Sequence, residues 1–184
     1  IDEDALPGLQ ARFEQAEAGA RTLELAGYHS IGLDHFARAD DTLAEAARTG
    51  SLHRNFQGYT DDPCDTLIGI GSTAISQFPE GYVQNFKSRT AWRAAIQDQR
   101  LPVERGIALT EDDRLRARAI ETLMCKMAVD LDTVCREMNA APGSLSGALE
   151  TARFLQSAGF CQIEGSLIRV LPEAPLPADR RAMS

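Results

Sequence analysis

Gly27-Tyr28-His29-Ser30-Ile31-Gly32-Leu33-Asp34-His35-Phe36 reads as a strand entered directly from a helix. Upstream of it, Leu6, Leu9, Phe13, Ala16, Ala20 and Leu23 recur at helical spacing, which predicts one amphipathic helix from about Ala5 to Ala26. Gly27 stands where a left-handed helix stop is expected. A helix feeding a strand through one glycine is the α→β half of an α/β unit. In the strand, His29, Ile31 and Leu33 share one face, and Ser30, Gly32 and Asp34 the other. The apolar face is expected to pack on helices. The small polar face is expected to line a barrel interior, with Asp34 at the C-terminal mouth, where α/β barrels keep their chemistry. Asp34 can also simply cap the next turn. His35 points the other way and reads as a hydrogen-bonded structural histidine.

Downstream, Asp40-Asp41 opens a short Ala-rich helix that ends before Gly50, with acidic residues at its positive end. Then comes His53-Arg54-Asn55-Phe56-Gln57-Gly58-Tyr59-Thr60, which has neither helical nor strand periodicity. It mixes a cation, amides, aromatics and a glycine, the make-up of a loop that contacts something. Arg54 can grip a carboxylate with two parallel hydrogen bonds. In so acidic a chain it can equally pair with a carboxylate of the protein itself.

The segment from Thr66 to Ser76 predicts a short buried strand and a tight turn, with Gly69 and Gly71 leaving room for a ligand. No Lys-Ser or Lys-Thr follows, so it is not a nucleotide P-loop. Tyr82 to Asn85 predicts another strand, Ser88 to Gln99 a helix with Trp92 in the core, and Val103 to Leu109 an extended segment. Thr110 with Asp113 resembles a capping box. It starts a helix to about Met127, with Leu115, Ile120, Leu123, Met124 and Met127 inward. After Leu131 the pattern is helix, break at Pro142-Gly143, helix to Ser157, and a hairpin turning at Glu164-Gly165. Three helices and a hairpin predict a winged-helix-like unit.

Composition narrows the partners. The chain has 184 residues, a net charge of −8 and 43% hydrophobic residues, with no apolar run of membrane-spanning length and no visible signal peptide. An acidic balance disfavours nucleic acid and anionic membranes. The segment from Ser144 to Ser157 has one Arg, one Glu and no Lys, a poor recognition helix for DNA. Cys64, Cys125, Cys135 and Cys161 are too far apart for a zinc motif and read as free thiols.

Five stretches carry a family resemblance. Gly-Tyr-x-x-Ile-Gly-x-Asp-His-Phe-Ala at Gly27 to Ala37 and Arg-Asn-Phe-Gln-Gly-Tyr-Thr at Arg54 to Thr60 are similar to the oxygen-independent coproporphyrinogen III oxidases. Gly69-x-Gly71-x-x-Ala74-Ile75-Ser76, Tyr82-x-Gln84-Asn85 and Arg105 to Thr110 continue the likeness, which fades after about Val129. The related haem-chaperone branch is expected to lack the first two motifs. The resemblance implies a radical S-adenosylmethionine enzyme with a 4Fe-4S cluster, decarboxylating two propionates of coproporphyrinogen III to the vinyls of protoporphyrinogen IX.

The fold so implied is α+β: the C-terminal remnant of a partial α/β barrel plus linker over residues 1–109, a winged-helix-like domain over 110–171, and a flexible tail over 172–184. The family's Cys-x3-Cys-x2-Cys signature is absent, and the first residue is Ile1 rather than Met. We therefore expect a piece of a longer enzyme, inactive alone, with no catalytic residue, no metal ligand and no bound cofactor of its own. The resemblance places Ile75 against S-adenosylmethionine, and Asp34, Arg54, Phe56 and Gln57 on the substrate wall, with His53 a second candidate for a propionate. An external electron donor, a monomeric state and a cytoplasmic location complete the expectation. A non-catalytic haem- or porphyrin-binding relative is the first alternative, and a winged-helix nucleic-acid-binding module the weaker second.

Overall fold

The computed structural model describes residues 6–171, so the predicted tail over 172–184 and the helix start at Ala5 lie outside it. Helix α1 (Leu9–Leu25) ends where Gly27 turns left-handed (φ 86°), and β1 (Tyr28–Ile31) follows. The strand is shorter than its alternation suggests. It stops at Ile31, turns through Gly32, Leu33 and Asp34, and returns as β2 (His35–Arg38), antiparallel, with Ile31 opposite His35. The expected run to Leu33 with Asp34 at a strand end is therefore corrected: Asp34 sits in a hairpin turn. The cause is Gly32, whose φ of 62° breaks the extended backbone.

Helix α2 (Thr42–Thr49) is capped by the Asp41 carboxylate, which accepts from the Leu43 N–H, and ends at left-handed Gly50. The contact loop is itself a small hairpin, β3 (His53–Arg54) with β4 (Tyr59–Thr60). Ile31, Ala37, Ala46, Leu52 and Tyr59 form one buried core beneath these elements. By contrast α1 buries none of its residues, and Leu9 and Phe13, predicted inward, are 57% and 42% exposed.

A meander follows: β5 (Ile75–Phe78), β6 (Gly81–Asn85), helix α3 (Arg89–Gln97) and β7 (Val103–Ala108), with sheet order β5-β6-β7. Trp92 is half-buried on α3 and belongs to neither buried core. The predicted buried strand after Thr66 is not one. Leu67 makes a single bridge to Gln77, while Ile68 and Ile70 are 63% and 91% exposed. Ser76 and Asn85 hold this segment by side-chain hydrogen bonds to Gly69 and Gly71. Gly69 tolerates no Cβ because the backbone of Ile75 fills that space.

Helix α4 (Glu111–Lys126) begins with the full Thr110–Asp113 capping box and ends at left-handed Met127. Strand β8 (Ala128–Asp130), α5 (Leu131–Glu137), α6 (Ser146–Ser157), β9 (Cys161–Glu164) and β10 (Leu167–Val170) complete the chain, with sheet order β8-β10-β9. Leu115, Ala119, Val129, Leu131, Val134, Leu145, Ala152 and Ile168 are among the residues of a second core. Ile120 is corrected: it is 59% exposed, and Ala119 takes the buried position.

Asp130 ties this unit together. Its carboxylate accepts from the Ser166 and Thr133 hydroxyls at 2.6 and 2.7 Å, and caps α5 at the Asp132 and Thr133 N–H groups. Those hydroxyls, Ser166 first, hold its pKa below the usual carboxylate value. A depressed folded pKa contributes stability above the unfolded pKa of ~3.9, lost as pH falls through the folded value. Asp130→Ala is expected to cost about 1–2 kcal/mol at pH 7. Urea melts of both proteins at falling pH should converge once the wild-type carboxyl is protonated.

Candidate functional site

The site is built on one face of the β5-β6-β7 sheet. Opposed residues share a face, so Ile75, Gln84 and Arg105 stand beside Gln77, Tyr82 and Ile107. Ile75, Tyr82, Gln84, Arg105 and Ile107 line one open groove, with Arg105 Nε donating to Gln84 Oε1 at 2.9 Å. Next to it, the β3–β4 hairpin, β5 and α4 line two open cavities of about 280 and 470 Å³ that share lining residues. Arg54, Asn55, Asp65, Gln77 and Glu121 line both of these. Tyr82 lines the groove and the larger cavity, which joins the two along the sheet.

Arg54 is set by its strand partner. It lies opposite Tyr59, and its guanidinium stacks over the Tyr59 ring at 4.7 Å. Tyr59 is fixed in turn: its hydroxyl donates to the Met124 carbonyl at 3.0 Å and accepts from the Leu33 N–H at 3.2 Å. His35 meets the same ring edge-on, at 5.1 Å between centroids. Arg54 has no ion pair among the described residues, and its Nη1 is buried without a hydrogen-bond partner. The internal pairing left open by the sequence is not made there, although Asp65 lines the same cavities.

His53 is taken. Its Nδ1 lies 3.1 Å from Glu121 Oε1, the oxygen that also accepts from the Arg54 N–H. Arg118 donates to the other Glu121 oxygen and reaches Glu137 on α5. Glu121 thus fastens the hairpin to the helical unit, and His53 serves that fastening. Phe56 lines the larger cavity and meets Tyr82 edge-on, with 6.4 Å between centroids. Gln57 is exposed in the turn and lines neither cavity; its N–H donates to Asn55 Oδ1 at 2.8 Å. Asp34 is exposed in the β1–β2 turn, 2.8 Å from His35 Nδ1, and also lines neither.

The structure therefore brings Arg54, Phe56 and Ile75 to one face and leaves Asp34 and Gln57 off it. Sequence reasoning missed Gln77, Tyr82 and Glu121. The alternation of Ile75 with Gln77 was a usable signal for the first. Nothing local signals Glu121, whose partner His53 is remote in sequence.

Among the described residues no three His, Cys, Asp or Glu side chains are placed to hold a metal ion. Cys135 and Cys161 are buried in the helical core, Cys125 is half-buried and Cys64 is exposed. Burial and the Glu121 charge push the Cys125 thiol pKa up, away from the thiolate a metal needs. These cysteines do not fit an iron–sulfur cluster.

The chain is 50% identical over 131 residues to an oxygen-independent coproporphyrinogen III oxidase of Cereibacter sphaeroides, covering 71% of this chain and 29% of that protein. It is 43% identical over 170 residues to one of Bradyrhizobium diazoefficiens, covering 92% of this chain and 38% of that protein. A solved coproporphyrinogen III oxidase from Escherichia coli, described as a radical SAM enzyme, matches with a TM-score of 0.82 and 34% identity. That match covers 92% of this chain and 39% of the solved one. The chain is a homologue of the oxygen-independent coproporphyrinogen III oxidases. It spans about a third of the length of these relatives, their C-terminal part. No family model matches it. No helix among the described residues is long and apolar enough to cross a membrane.

Proposed function

We propose that this chain is the C-terminal portion of an anaerobic coproporphyrinogen III oxidase and supplies part of its substrate wall. The observation that carries the reading is the unpaired Arg54 guanidinium beside Phe56 and Tyr82. A half-buried cation wants an anion. The substrate named for the relatives carries propionates on a large apolar ring, so Arg54 would hold one propionate while the aromatics cover the ring.

The groove beside Ile75 has an apolar wall with an amide and a guanidinium at its rim, which suits one edge of S-adenosylmethionine. In the whole enzyme that cofactor would supply the oxidation that precedes loss of carbon dioxide from a propionate. The residues of this chain bind, orient and exclude water. The iron–sulfur cluster would be held elsewhere, since the cysteines here do not fit it. The α4-to-β10 unit reads as winged-helix-like and would close over the sheet, with Glu121 fixing the substrate loop to it.

Arg54→Ala in the full-length enzyme is expected to weaken porphyrin binding by about tenfold to a hundredfold, or ~1.5–3 kcal/mol. Arg54→Lys keeps the charge but loses the planar fork, and should recover only part. Titration of each variant with coproporphyrin III, beside its melting temperature, checks this. Unchanged affinity with a lowered melting temperature would make Arg54 structural.

A further inference from the structure

Gln77 Oε1 is buried and has no hydrogen-bond partner, like Arg54 Nη1, and both residues line the same two cavities. The Gln77 backbone is engaged, exchanging N–H···O bonds with Leu67, which fixes where the side chain starts. A buried polar atom left alone is costly, and two residues that line the same cavities each carry one. The Gln77 amide makes no side-chain hydrogen bond among the described residues, so a half-turn that presents Nε2 instead of Oε1 breaks none.

We propose that Arg54 and Gln77 together form a carboxylate subsite, with Gln77 as the second donor. This rests on reading Arg54 as a substrate anchor. Water could satisfy both atoms but could not neutralise the guanidinium. The face of that guanidinium is covered by Tyr59, which leaves its in-plane N–H edge for a carboxylate. Asp65, the exposed carboxylate at the same cavities, does not pair with it among the described residues.

The subsite has a direction. Gln77 and Ile75 lie two residues apart on one strand face, ~7 Å along β5. Tyr82 spans the cavity and the groove. An acid end held by Gln77 and Arg54 therefore sends its carbon skeleton along Tyr82 towards Ile75. The ligand class is a carboxylate on a short chain borne by a large, mainly apolar ring. One neutral and one cationic donor suit a single carboxylate, so the remaining acid groups of a tetracarboxylate must be met elsewhere.

The test titrates the full-length protein with coproporphyrin III, following its absorbance, for wild type, Gln77→Glu, Gln77→Leu, Arg54→Ala and the Arg54→Ala/Gln77→Leu pair. Gln77→Glu turns a donor into a repelling carboxylate and should weaken binding by about tenfold or more. Gln77→Leu, close in size, should lose roughly three- to tenfold, and carries the test if Gln77→Glu folds poorly. The double variant should lose clearly less than the product of the singles, because both act on one carboxylate. If Arg54→Ala weakens binding while both Gln77 variants stay within about twofold of wild type, the subsite proposal is overturned and the Arg54 reading stands. If Gln77→Glu and Gln77→Leu weaken binding and Arg54→Ala does not, the shared subsite and the Arg54 anchor both fall. If none changes affinity, the reading of this face as a substrate wall fails with them.

Discussion

Gly32→Ala is expected to destabilise the protein by about 3–5 kcal/mol. Two costs add. The backbone at Gly32 has a φ of 62°, a region that side chains resist. A Cβ there would also overlap the Tyr59 ring, and that ring cannot retreat. Its hydroxyl is held by Met124 and Leu33, and its faces and edges meet Arg54 and His35. Gly50→Ala separates the two costs. Gly50 has a φ of 79° but nothing within 4 Å of where a Cβ would sit, so only the conformational cost of ~1 kcal/mol remains. Urea denaturation of the two variants, read as midpoint and slope, should give a difference of about 2 kcal/mol or more. Equal losses would mean that Tyr59 moves aside easily. If Arg54 anchors a propionate as proposed, Gly32→Ala should also weaken porphyrin binding by the full-length enzyme, since Arg54 is stacked on the displaced ring.

Ile31→Ala should be nearly as damaging, at about 2–5 kcal/mol. Ile31 is 1% exposed and sits in the core with Ala37, Ala46, Leu52 and Tyr59. Ala37 and Ala46 are too small to fill the space a lost side chain leaves, and Tyr59 is held in place by its hydroxyl. Phe13→Ala on α1 removes a larger side chain from a 42% exposed position and should cost no more than ~0.5 kcal/mol in this chain. Thermal or urea melts of both variants check the contrast. A large loss from Phe13→Ala would mean that α1 is packed more tightly than its exposure indicates.

Ile31 and Phe13 show how far a pattern reaches. Both occupy apolar positions of a clear period, and both read as inward. Periodicity says which face of an element can be buried, not whether anything lies against it. Helix α1 leads directly into β1 and buries none of its residues fully, so its stripe is visible in the sequence and largely unused here. Ile120 fails in the same way: it keeps helical spacing on α4 but opens onto the larger cavity.

Local chemistry was legible at several helix ends. The Thr110–Asp113 capping box, the acidic start at Asp41 and the stops at Gly27 and Gly50 all need only nearby atoms, whereas the caps made by Ser88 and Asp130 went unread. Strand β8 was not legible, because three residues become a strand only by pairing with β10 far along the chain. The candidate site divides similarly. Arg54 and Phe56 stood out by residue type in an aperiodic loop. Gln77 fell between the predicted segments and drew no attention, and what singles it out is an unpartnered atom that no sequence displays.

The separation of Trp92 from both hydrophobic cores has an optical consequence. It is the chain's one tryptophan, on the helix inserted between β6 and β7. Its emission therefore reports the surroundings of α3. Neither the Tyr59 core nor the helical core contributes an indole to the signal. Fluorescence follows one part of the molecule, whereas far-ultraviolet circular dichroism, dominated by helices such as α1 and α4, follows others.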